Sequence, residues 1–306
     1  MTVLFGIVAP IFALIGMGAL AIRLRLIAPE AVRGMTDFVF YTAMPGLLFA
    51  SVAQAPPLRL LDVAGSFLGG ALILFAVALL LARTWLGARL SDAALFGLNC
   101  VYGNTVMLGI PIVDAAYGAE GVATLLAVIA FHTAVLLPLA TLIIEADTGH
   151  GPFRVLGAAL LGVLRNPVVV SILLALAWRA GGLAMPDPVH RFLALIGAAG
   201  PPLALFCLGA TLPRPSGWSD LREVALAALI KLAAMPVLVA LLAYLAGVRG
   251  LAFSVVVVAS ALPTGANAFL LARRFDTMME TSATSVVVST AFSVVTLTLL
   301  LGWLAR

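Results

Sequence analysis

Two short stretches place polar groups where an otherwise apolar chain has no packing need for them. "GNTVMLGIP" carries Gly103, Asn104, Thr105, Gly109 and Pro111, and "LPTGANAF" carries Pro263, Thr264, Gly265, Asn267 and Ala268. An asparagine side chain offers both a donor and an acceptor, so Asn104 and Asn267 are equipped to hold a polar solute. Glycine and proline lower the cost of leaving helical geometry. A helix broken there would free backbone N–H and C=O groups and present half-helix N-termini, whose partial positive charge suits a carboxylate. A kink packed through small residues is the competing reading, common between membrane helices. The pairing of the two stretches weighs against it, since two interrupted spans at equivalent places in two halves point to a transport site.

Other groups are fewer. His132, in "AFHTAVLLPL", is an ionisable residue in the middle of an apolar run, which is a functional hypothesis by default. A neutral histidine bonded to a neighbouring helix is its alternative, and titration near neutral pH would allow proton coupling. Lys231 precedes Pro236 by five residues and is expected to snorkel or to pair with a backbone carbonyl, with direct contact to the substrate as the lesser alternative. Glu145 and Asp147 are expected to be solvated at a span end, and Asp114 and Glu120 to flank a loop after the first interrupted helix. Cys100 and Cys207 read as small buried hydrophobes. The three histidines have no metal-ligand spacing, and neither a Walker loop nor a nucleophile elbow is present. The chain therefore reads as neither an enzyme nor ATP-driven, with no resident cofactor or metal.

The elements that must position these groups follow from composition. The 306 residues are 63% hydrophobic and 10% charged, with mean hydropathy +1.20. A soluble domain is about half apolar and about a quarter charged. Apolar runs of roughly 20 residues, without alternation, indicate spanning helices rather than barrel strands. Ten are expected, at about 3–22, 34–54, 62–83, 91–116, 121–144, 160–179, 189–212, 221–246, 250–272 and 281–304. The net charge of +4 comes from 17 Lys+Arg scattered without a patch, which excludes a nucleic-acid surface and reports topology instead.

Pro10, Pro29, Pro45 and Pro56 each have a proline 157 residues later, at Pro167, Pro186, Pro202 and Pro213, and Phe49 matches Phe206 at the same spacing. Self-similarity at one spacing marks a repeated unit, here 1–151 and 152–306 with five spans each. An odd number of spans inverts the second copy. With the N-terminus outside, eleven arginines face inward (23, 25, 33, 83, 89, 154, 165, 214, 222, 273 and 274) and five outward (59, 179, 191, 249 and 306). Positive-inside asymmetry thus places both termini outside. Pro45, Leu47 and Leu48, with their counterparts Pro202, Leu203 and Leu205, read as an apolar wall or as plain helix packing.

"GNTVMLGIPIV" followed by "YG", "RNP", "PPLALFCLGATL" and "ALPTGANAFLLARRF" together resemble the signatures of the auxin efflux carrier family, over essentially the whole chain. Its bacterial members include proteins described as malonate or malate permeases. The resemblance implies an all-α membrane protein of two inverted five-helix repeats with crossing broken helices 4 and 9, like bile-acid transporters and sodium/proton antiporters. Helices 1, 2, 6 and 7 would form a scaffold, and helices 3–5 and 8–10 a mobile transport domain working as an elevator. It further implies an organic anion bound at the crossing by Gly103, Asn104, Thr105, Thr264, Gly265 and Asn267, with the break at Gly103 and Ala268 and with His132 facing it. A homodimer through scaffold helices in a bacterial inner membrane is part of the same expectation. Plant members have proline where this chain has Gly103 and Ala268, and an acid and a lysine in the third span, where residues 63–82 here have no ionisable group. The alternative is a sodium- or proton-coupled carrier of the bile-acid-transporter-like superfamily with a different substrate. Those usually carry acids near the crossing, and 99–111 and 260–271 have none.

Overall fold

The computed structural model describes residues 4–54, 60–148, 167–182, 184–213 and 221–305. Pro56, Arg59, Arg154, Arg165, Arg214, Arg306, the repeat boundary at 151/152 and the start of the sixth expected span at 160–166 lie outside these. Helices account for nearly all of what is described: α1 (Ala9–Arg23), α2 (Pro29–Phe38), α3 (Met44–Gln54), α4 (Leu60–Thr84), α5 (Leu90–Val101), α6 (Ile110–Thr148), α7 (Pro167–Ala180), α8 (Asp187–Thr211), α9 (Leu221–Leu229), α10 (Met235–Leu245), α11 (Gly250–Ala261), α12 (Ala266–Arg274) and α13 (Met279–Leu304). Among the described residues seven helical stretches are long and apolar enough to cross a membrane, and α5, α7 and α11 are shorter apolar helices. The protein is an all-helical, multi-pass membrane protein.

Several prolines shape these helices in one way, whereas Pro138, Pro201 and Pro202 lie inside α6 and α8 without such a turn. Four π-helical turns, Leu4–Val8, Val39–Ala43, Thr105–Gly109 and Ile230–Ala234, each end two residues before a proline: Pro10, Pro45, Pro111 and Pro236. Proline has no N–H to give the carbonyl four residues back, and its ring collides with that carbonyl. Widening the preceding turn to i→i+5 bonding relieves both problems without ending the helix. Gly109 and Pro111, expected at a break, thus lie at a widened turn that runs straight on into α6.

One residue bends α6. Gly118, inside Ile110–Thr148, has φ 63 and ψ −161, a backbone state that only glycine adopts readily. The 43 residues of Thr105–Asp147 would be about 65 Å long if straight, roughly twice the hydrocarbon thickness. The loop expected between 116 and 121 is this single bend, with Asp114 and Glu120 in helix on either side of it.

The chain divides into two compact units. The first gathers the described residues of Met1–Arg59, Val106–Leu126 and Gly162–Leu212. Within it α8 packs against α1, α2 and α3, and α3 also packs against α7. The α1–α8 contact is backbone to backbone: a Cβ on Gly18 would collide with the carbonyl of Phe206, and one on Gly209 with the carbonyl of Ile15. Glycine lets membrane helices approach this closely. Leu48 and Leu205 are buried, whereas Pro202 is exposed on α8.

The second unit gathers Leu60–Thr105, the described residues of Ala127–Leu161, and those of Pro213–Arg306. In it α4 packs on α5, α10 and α11, and α13 packs on α5, α9, α11 and α12. Carboxylates hold the start of α5. Arg89 Nε donates to Asp92 Oδ2 at 3.0 Å, Thr277 Oγ1 donates to Asp92 Oδ1, and the Ser91 N–H donates to Asp147 Oδ2 at 3.0 Å. Asp147, expected to be merely solvated, therefore satisfies one of the helix's orphan N–H groups and faces its positive end.

Candidate functional site

Both interruptions in the second unit are extended backbone. Tyr102 leaves α5 at φ −79 and ψ 108. Leu262 leaves α11 at φ −62 and ψ 146, and Gly265 enters α12 at φ −78 and ψ 145. The two segments meet as an antiparallel bridge between Gly103 and Thr264. The Asn104 N–H donates to Pro263 O at 2.8 Å, and the Gly265 N–H donates to Tyr102 O at 2.9 Å. Ala268, expected at the break, lies inside α12 because the helix resumes at Ala266, directly after that bridge.

Unwound backbone is tolerated at membrane depth only where its groups find partners. Here each break uses the other. The remaining amides go to side chains and to the turn itself: the Gly103 N–H donates to His132 Nε2 at 3.2 Å, the Thr264 N–H to Ser289 Oγ at 3.0 Å, and the Thr105 N–H to Gly103 O at 2.9 Å. Thr264 Oγ1 donates to Asn99 O at 2.9 Å, repairing one carbonyl at the end of α5. The backbone amides of Gly103, Asn104, Thr105, Thr264 and Gly265 are therefore already occupied.

What is left over is side-chain chemistry. Asn104 is 6% exposed and His132 fully buried, and Asn104 Nδ2 and His132 Nδ1 have no hydrogen-bond partner. Because His132 Nε2 accepts the Gly103 N–H, the neutral ring carries its proton on Nδ1, so both unmatched atoms are donors. Their common requirement is an acceptor, such as a carboxylate oxygen. The ring is held on two sides, stacked on Tyr102 with centroids 4.0 Å apart and edge-on to Phe67 at 5.6 Å. Protonating Nε2 would set donor against donor at Gly103, so His132 can carry a coupling proton only by giving up that bond.

Asn267 is differently placed. It is exposed, and its Nδ2 donates to Tyr102 Oη at 3.0 Å, which also contacts Thr133 Oγ1 at 3.4 Å. Tyr102 thus links the two broken segments by both backbone and side chain, a role its sequence position alone does not reveal. Lys231, a lesser substrate candidate in the sequence, is brought to the site by the structure. It is fully buried, does not snorkel, and donates from Nζ to Ser260 O at 2.6 Å. Asn99 Nδ2 donates to Ser282 Oγ at 2.9 Å. A signal for the serine partners does exist in the sequence: Ser282, Ser285, Ser289 and Ser293 recur at helical spacing and form one buried face of α13, as polar residues between membrane helices should. Among the described residues no group of three or more His, Cys, Asp or Glu could hold a metal ion.

The whole chain has relatives. Residues 3–301 match the family described as "Membrane transport protein". The chain belongs to the auxin efflux carrier family of membrane transporters. It is 27% identical, over 97% of its length and 94% of the relative's, to a protein of Rhizobium meliloti (strain 1021) provisionally named a malonate transporter. It is 22% identical to auxin efflux carrier component 8 of Arabidopsis thaliana, over 91% of each chain. It is 24% identical to the uncharacterized transporter YfdV of Escherichia coli (strain K12), over 97% of this chain and 96% of that one. This member of the family is accordingly a transporter and not an enzyme.

Proposed function

We propose that this transporter is a secondary carrier of a small organic anion, a carboxylate of the malonate or malate class, and that the anion binds where the two broken segments cross. The observation that carries the reading is the pair of buried, unmatched donors, Asn104 Nδ2 and His132 Nδ1, beside the Gly103–Thr264 bridge. A carboxylate satisfies two donors at once, and an unmatched buried donor costs about 1–3 kcal/mol. Gly103, Thr105, Thr264 and Gly265 shape the crossing through their backbone, while Asn267 acts from its exposed edge. The absence of any acid in 99–111 and 260–271 favours an anion over a carboxylate-bound sodium ion. The relative named for malonate transport supports the substrate class.

In the proposed cycle the crossing moves as part of a transport domain past a scaffold of the first, second, sixth and seventh spans. The chain sits in a bacterial inner membrane with both termini outside and pairs with a second copy through that scaffold. The gradient of the anion itself, or of H+ or Na+, drives the cycle. The grouping of the described parts of the first, second, sixth and seventh spans in one compact unit is in keeping with the scaffold, although Val106–Leu126 of the fourth and fifth spans falls in that unit as well.

The test is a screen on purified protein. Malonate, malate and related carboxylates should raise the melting temperature more than their neutral amides do at the same concentration. A one-site ligand at a hundred times its Kd adds about 2.7 kcal/mol to stability. If no carboxylate shifts the transition or is taken up by proteoliposomes, the anion reading fails. For the movement, a cysteine at the buried Thr105 should react with a membrane-impermeant thiol reagent from opposite sides with and without substrate. Labelling from one side under every condition rules the elevator out.

A further inference from the structure

We propose that Lys231 supplies the positive charge that holds the substrate carboxylate at the crossing and so sets the site's preference for anions over neutral analogues. This rests on the anion reading above and adds the residue that decides charge selectivity.

Lys231 lies in the π-helical turn Ile230–Ala234, widened by Pro236. Its side chain is fully buried and reaches the extended break: a Cβ on Gly103 would sit 3.6 Å from both Cε and Nζ. Lys231 and His132 thus both touch Gly103, and Asn104 is the next residue. The ammonium has three N–H donors, and Ser260 O takes one. Among the described residues no carboxylate pairs with it.

The electrostatics of the crossing make that ammonium decisive. Two helix C-termini, those of α5 and α11, meet two N-termini there, the turn beginning at Thr105 and α12. Each end carries roughly half an elementary charge, so the four cancel in pairs. The bond to Ser260 O gives the ammonium one neutral acceptor, and the cancelled helix ends leave its charge uncompensated. A cation at membrane depth is costly unless compensated, and a bound carboxylate supplies the compensation. A helix-capping role alone needs one neutral donor, which glutamine also provides. The two roles therefore separate by experiment.

Wild type, Lys231→Gln and Lys231→Arg are compared for binding of malonate and of malonamide, its neutral counterpart of similar shape. Lys231→Gln should weaken malonate by about tenfold or more and leave malonamide nearly unchanged. Lys231→Arg should keep the preference for malonate. If Lys231→Gln does not give a monodisperse protein, Lys231→Asn, which also keeps a neutral side-chain donor, supplies the same comparison. Equal loss for both ligands would mean a structural cap only, and an unchanged malonate-to-malonamide ratio would mean no charge role; either overturns the proposal. A wild type that binds no carboxylate overturns the anion reading instead, so the two failures are distinguishable.

Discussion

Replacing Asn104 with alanine is expected to weaken carboxylate binding by about 10- to 100-fold while leaving the protein folded. The expectation follows from how the asparagine is spent. Its backbone N–H already serves the bridge to Pro263 O, and alanine preserves that bond. Only the side-chain amide is lost, and Nδ2 has no protein partner. Removing it relieves a buried unmatched donor in the unliganded protein and deletes one bond to the anion. A hydrogen bond to a charged group contributes about 1.5–3 kcal/mol, which converts to the stated range at 1.4 kcal/mol per tenfold. Asn267→Ala should be milder, about two- to fivefold, because that amide is exposed and bound to Tyr102 Oη, where net hydrogen-bond contributions are about 0.5–1 kcal/mol. Titrating both variants with the best carboxylate from the screen, with melting temperature as a folding control, checks the ranking. Equal effects, or a wild-type response surviving both substitutions, would remove Asn104 from the site.

Gly209→Ala is expected to destabilise the first unit by about 3 kcal/mol, the upper end of ordinary overpacking costs. The new Cβ would collide with the backbone carbonyl of Ile15 rather than with a side chain that could swing aside. The helices α1 and α8 must then separate, and their packing is lost over several turns. Gly18→Ala meets the carbonyl of Phe206 across the same contact and should cost a similar amount. The double variant should cost less than twice the single ones, since helices already parted have no second collision to relieve. Gly16→Ala is the control, since a methyl group at that position on the same helix would have nothing within 4 Å. Thermal unfolding of the four variants in one detergent reads all of this, and a Gly209→Ala protein as stable as wild type would refute the close approach.

Much of the molecule is legible before its tertiary structure. Unbroken hydropathy locates the helices, because a lipid-facing segment must satisfy its backbone internally and so must be long, apolar and helical. The interruptions at Gly103–Asn104 and at Pro263–Gly265 are visible for the converse reason, as residues that a plain spanning helix does not need. Where prolines widen a helix without breaking it, sequence alone is ambiguous: Pro111 and Pro263 look alike, yet one follows a π-helical turn and the other sits in an extended break. Neighbouring packing chooses between those outcomes, because only Pro263 has a paired segment to receive its carbonyl.

The sequence by itself determined that this is a polytopic helical protein with two polar interruptions, since hydropathy and the backbone chemistry of glycine and proline act locally. Only the tertiary structure decided which groups at the crossing are still available to a ligand. The backbone amides of Gly103, Asn104, Thr264 and Gly265 are consumed across the bridge and by His132 and Ser289, while the side-chain donors of Asn104 and His132 are not. Lys231, which a linear reading leaves near a proline in an apolar run, is brought against Gly103 and Ser260. The partners concerned are separated by up to 183 residues, as between Asn99 and Ser282. No local rule relates residues so far apart, and the cost of burying a polar group without a partner takes effect only once the helices have packed.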